Sequence, residues 1–97
     1  MAQKIVHRTL PGWRSKSYVS ISVEGGDLWP IEVVMNRHTL DLTVIFQDRE
    51  WEADTTAEFQ FFFLRDGYHI PDGTAYLGTV VMDPPSHLVS IFWSAEE

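Results

Sequence analysis

The chain contains no cysteine. That absence excludes a disulfide scaffold, a thiolate nucleophile and any zinc or iron–sulfur site built on thiolates, and it fits a reducing compartment. Basic residues are scarce. Seven Lys and Arg face fourteen Asp and Glu, a formal charge of -7, so the phosphate backbone of a nucleic acid would be repelled and none is expected as a partner. No apolar run approaches the roughly 20 residues that a membrane helix needs. The opening "MAQKIVHRTLPGW" lacks the apolar core of a signal peptide, so the expected location is the cytoplasm in which the chain is made, with no membrane partner. Catalytic signatures are missing as well. There is no G-x-S-x-G elbow and no phosphate-cradling glycine motif between a strand and a helix.

What the sequence does have is aromatic mass. Four Trp, three Tyr and six Phe in 97 residues supply enough apolar area for one core, and the length fits one domain, residues 1–97. The apolar period is close to two along most of the chain, the mark of strands with one buried face. Val19, Ile21 and Val23 alternate with Ser20 and Ser22. Leu40, Leu42, Val44 and Phe46 alternate with Asp41, Thr43 and Gln47, and "IEVVMN" sets Ile31, Val33 and Met35 on one side. Phe59, Phe61 and Phe63 share a face, while Phe62 and Leu64 make the opposite face apolar too. "KIVHRTL", "AYLGTVVMD" and "LVSIFW" complete the set, and "REWEADTT" reads as a helical turn or irregular loop. The expectation is an all-β domain, a small sandwich or flattened barrel of about seven mostly antiparallel strands.

The four histidines are scattered and show no paired spacing of the kind that binds zinc, so no metal and no cofactor are expected. Acidic neighbours such as Asp48 with Glu50 sit beside Arg49 on a polar segment and read as a solvated face rather than an acid/base pair. The chain is therefore expected not to be an enzyme. One stretch draws attention, "RDGYHIPDGTAYLGTV", because it places Arg65, Tyr68, His69 and Asp72 in a connection that feeds a strand. Asp66-Gly67 and Asp72-Gly73 favour turns, and Pro71 fixes the backbone between them. It can be a turn that reverses the chain, with Tyr68 tucked inward. Alternatively it is a recognition loop with Arg65, Tyr68 and His69 outward.

The order "GYHIP", "YLGTVV", a short turn and "LVSIFW" resembles the C-terminal half of a family of short phage-encoded proteins of unknown function. In that family a Gly-Thr-Gly-His-like turn and an Ile-Pro precede a Tyr-Ile-Gly-Thr strand, and the chain ends in a Leu-Val-aromatic-His-Val-Phe strand. "KIVHRTLP" and "ISVEGGDLWPIEVVM" agree more loosely with the N-terminal half, so the likeness spans most of the chain. His69 is kept, whereas Ser90 stands where the last histidine would be. The resemblance implies a phage or prophage source and one compact β domain, and it implies no activity.

Two function classes follow. The first is a small phage protein that binds a bacterial host or defence protein without chemistry. The second is a binder or sponge for a nucleotide-like signal, with Trp13, Trp29, Trp51 and Tyr68 available to stack and Arg14, Lys16, Arg37 and Arg65 to meet its charge; a minor virion role is a third. The doubly apolar strands around Phe62, Leu64, Ile91 and Trp93 point to self-association, a dimer with these residues at its interface. Far-UV circular dichroism of this reading has a single β-type minimum, and a helical double minimum would overturn it.

Overall fold

In the computed structural model, which describes residues 3–50, 55–83 and 86–96, the period-two segments become seven strands. They are β1 (Lys4–Thr9), β2 (Tyr18–Glu24), β3 (Leu28–Met35), β4 (Leu42–Asp48), β5 (Thr56–Leu64), β6 (Ala75–Met82) and β7 (His87–Glu96), with one 3-10 turn at Trp13–Ser15. Every ladder is antiparallel. A three-stranded sheet of order β1-β4-β3 packs on a four-stranded sheet of order β2-β5-β7-β6, an open sandwich and not a closed barrel.

The core lies where the central strands face each other. Leu42, Val44 and Phe46 from β4 meet Phe59, Phe61 and Phe63 from β5, all at most 2% exposed, with Val89 and Ile91 of β7 beside them. Phe46 sits 5.0 Å from Phe59 and 6.1 Å from Phe61 between ring centroids, at tilted and edge-on angles that suit aromatic quadrupoles. Tryptophans close the two ends. Trp13, 3% exposed, packs on Phe63 at 5.5 Å and donates its indole N–H to the Leu40 carbonyl, while Trp93 lies against Phe59 at 6.0 Å and Trp29 at 5.8 Å.

Two expectations from the sequence are corrected here. Ile31 does not share a face with Val33 and Met35, because β3 shifts register between Pro30 and Glu32; Ile31 is the extra residue and is exposed. Pro30 explains the irregularity, since it cannot donate to a ladder and is tolerated only on an edge strand or bulge. Leu40 is not part of the β4 face. It sits in the β3–β4 turn with a left-handed φ of 62°. The middle of "REWEADTT", residues 51–54, lies outside the described residues.

Asp48, read from the sequence as part of a solvated face, is instead the last inward position of β4 and is fully buried, because the strand's alternation carries one inward position past Phe46 into the core. Its Oδ1 accepts the backbone N–H groups of Asp27 and Glu50 at 3.2 and 3.1 Å, tying the β2–β3 turn to the end of β4. The turn presses close. A Cβ on Gly25 would lie 2.6 Å from Asp48 Oδ2 and 2.8 Å from Leu28 Cγ, distances that side-chain atoms do not tolerate. Gly25→Ala should therefore cost about 1–3 kcal/mol through overpacking. Phe61→Ala should cost about 3–5 kcal/mol through its cavity. Urea denaturation with both variants checks the ranking, and a neutral Gly25→Ala would overturn the account of the turn.

Candidate protein-binding face

Side chains alternate across a strand, so the residues between the buried phenylalanines emerge on the outer face of the four-stranded sheet. The register aligns them. Tyr18 of β2 pairs with Phe62 of β5, Phe62 pairs with Phe92 of β7, and Phe92 pairs with Tyr76 of β6. One row of four aromatic rings thus runs straight across all four strands, with centroids 5.9 Å apart for Tyr18–Phe62 and 5.5 Å for Tyr76–Phe92. Tyr18 and Tyr76 at its ends are 51% and 58% exposed. On one side the row is bordered by Ser20, Gln60 and Ser94, on the other by Leu64, Ser90 and Thr79, with Leu88 and Val81 beyond and both exposed.

The segment containing Arg65, Tyr68, His69 and Asp72 crosses this face. β5 and β6 each run antiparallel to β7, which lies between them, so they are parallel to each other and the link between them is a crossover. It is not the chain-reversing turn expected from the sequence. Its backbone is built from two turns, one closed by Tyr68 N–H to the Arg65 carbonyl at 3.0 Å and one braced by Thr74 Oγ to the Pro71 carbonyl at 2.7 Å. Gly67 and Gly73 take the positive φ angles, 86° and 76°, that these turns need. Tyr68, His69 and Asp72 are exposed and Arg65 is half-buried, so the glycines make the turns while the side chains point away from the core. Between this crossover and the sheet lies an open groove of about 650 Å³, lined by Arg65, Tyr68 and Ile70 from the loop and by Leu64, Leu88 and Phe92 from the strands.

The interface candidates divide. Phe62 and Leu64 stand half-buried on the outer face. Ile91 is fully buried in the core, and Trp93, half-buried, lies on the inward face against Phe59 and Trp29. Their strand neighbours Leu88 and Phe92 take the outward positions, one step out of phase, as the alternation requires. The residues that sequence reasoning missed are Tyr18 and Tyr76. Each belongs to a strand whose pattern was legible, but only the inter-strand register reveals that they extend one row.

Of the rings considered for stacking on a ligand, Trp13 is buried and Trp29 is engaged. Asp27 accepts the Trp29 indole N–H at 3.1 Å and the Arg49 guanidinium at 3.0 Å, and Arg49 lies over the Trp29 ring at 5.3 Å. Trp51 lies outside the described residues. The four cations do not converge, since Arg14, Lys16, Arg37 and Arg65 each line a different depression. Among the described residues no group of three or more His, Asp or Glu is placed to hold a metal ion, and no helix is long and apolar enough to cross a membrane. No known family, curated protein or solved structure matches the chain.

An exposed loop residue contributes little to stability, whereas a left-handed position resists any side chain. Tyr68→Ala with His69→Ala should leave unfolding free energy within about 0.5 kcal/mol of the native chain. Gly67→Val should cost more, of the order of 1 kcal/mol, because a β-branched residue resists a φ near 86°. Thermal melts of the two variants test this, and a double mutant less stable than Gly67→Val would show that Tyr68 packs inward.

Proposed function

We propose that this is a phage-encoded binding protein without catalysis, which acts in the cytoplasm of the bacterial host by covering a surface of a host or defence protein. The supporting observation is the aromatic row Tyr18–Phe62–Phe92–Tyr76, aligned by register on a sheet face that the second sheet does not cover. Aromatic anchors dominate binding energy at protein interfaces, and the row presents two of them, Tyr18 and Tyr76, more than half exposed. The net charge of -7 selects for a partner whose apolar contact area is ringed by Lys and Arg, and it speeds their encounter. The crossover supplies the rim, with Arg65, Tyr68, His69 and Asp72 beside the row in the manner of polar groups around an interface core. The resemblance to short phage proteins supports the source.

A nucleotide-like ligand is the second reading, because the groove under the crossover combines Tyr68 and Phe92 with a cation, Arg65. It is the weaker one, since a nucleotide's several charges would meet a single guanidinium there.

The end residues of the row allow a clean test, because both are exposed and their loss leaves the core intact. Tyr18→Ser with Tyr76→Ser should keep the melting temperature within a few degrees and abolish capture of a protein from bacterial lysate. The captured protein, purified, should bind the native chain and bind the double variant at least about a hundredfold more weakly, the loss of about 2.7 kcal/mol expected of two hot-spot rings. Equal binding by the variant overturns the assignment of the face. A native chain that is dimeric at micromolar concentration, and becomes monomeric in the variant, makes a second copy the occupant.

A further inference from the structure

A second feature lies away from the aromatic row, where β3 and β6 meet across the sandwich. Both are terminal strands of their sheets, and each carries a ladder on one side only. No ladder joins one to the other among the described residues, so each presents an edge of backbone N–H and C=O groups without a strand partner. The two strands pinch together at Gly78, where a Cβ would lie only 2.8 Å from Val33 Cγ1. Beyond that point a cleft of about 680 Å³ lies between them.

The walls of this cleft are consecutive residues, Glu32 to Met35 on β3 and Thr79 to Val81 on β6. A side-chain surface would draw on every second residue of a strand, so a continuous run means that the walls are the strand edges themselves. The inward residues Val33, Met35 and Val80 belong to the core or pack against it, which puts apolar contact within the reach of an occupant. Leu40 also lines the cleft and is the single non-glycine residue with a positive φ among those described. It is built into that conformation. Its N–H donates to the Asn36 carbonyl at 2.7 Å, its own carbonyl accepts the Trp13 indole N–H at 2.8 Å, and Asn36 Oδ1 accepts the N–H groups of His38 and Thr39. Over-determined strain of this kind concentrates at binding sites.

We infer that the cleft accepts an extended segment of a partner protein as an added strand, held by main-chain hydrogen bonds to the free edges of β3 and β6. Every second side chain of the segment is apolar and turns toward Val33, Val80 and Leu40. Strand addition takes its affinity from the backbone and its specificity from alternate side-chain contacts, so the occupant is defined by being extended and alternating. Glu32 and Asp83 against the lone Arg37 on the walls favour a segment with basic ends.

The probe is a capped peptide that alternates valine and threonine with a lysine at each end, together with a twin N-methylated at alternate residues. The methyl groups remove the donors to one edge and leave the side chains unchanged. In ¹⁵N NMR titrations the parent peptide should bind at one site and slow amide exchange in residues 33–35 and 79–81. The twin, and the parent peptide against Val34→Lys, should bind at least about tenfold more weakly, with the circular dichroism of the variant unchanged. No binding of the parent peptide at millimolar concentration, equal binding of the twin, or shifts confined to Tyr18, Phe62, Phe92 and Tyr76 would each overturn the proposal.

Discussion

The contact of Phe46 with Phe59 and Phe61 is the one on which the rest of this molecule depends. It joins the central strand of the three-stranded sheet to a central strand of the four-stranded one, and large rings are what allow so short a chain to keep two sheets filled between them. A three-stranded layer over a four-stranded one cannot match it strand for strand. The mismatch is taken up at the two ends, by non-strand residues at one and by strand tryptophans at the other. Leu10 and Trp13, from the link between β1 and β2, are buried at one end, while Trp29 and Trp93 meet at the other. Asp48 then fixes the turn beside the second end by accepting two backbone N–H groups. Trp13, read from the sequence as a ligand platform, is structural for this reason.

How much could be read from the chain divides along a physical line. Alternation in residues 19–23, 42–46 and 59–63 reports which face of a strand is buried, and each of those faces is buried here. It reports nothing about which strand lies beside which. The aromatic row is a property of register across four strands, so Phe62 was legible as outward while its alignment with Tyr18, Phe92 and Tyr76 was not. Ile91 and Trp93 were placed at an interface because "LVSIFW" is apolar on both faces, and the phase of the strand, fixed only by its neighbours, puts them inward. Ile31 failed for a local reason, a bulge beside a proline that shifts the alternation by one.

The two faces of the four-stranded sheet set out opposite uses of the same residue type. Inward rings are packed to exclude water, and outward rings are spaced by the strand repeat with their end members exposed. The outward rings are also not coplanar, since Tyr76 and Phe92 meet at 65°. Such a surface suits the irregular relief of a protein better than the flat stacking of successive bases.

The crossover between β5 and β6 has a consequence for how the chain comes to be folded. β6 has a single ladder partner, β7, which is made after it and lies between β5 and β6 in the finished sheet. While the chain emerges from the ribosome, β6 has nothing to pair with and the outer row lacks Phe92. β6 and β7 close as a local hairpin, and the four-stranded sheet is completed when that hairpin docks its β7 edge on β5, a non-local pairing of the kind that slows folding. Until β7 docks, β5 is covered by β2 and β4 but keeps one open edge, the kind of unpaired strand edge through which a partly folded chain meets its neighbours.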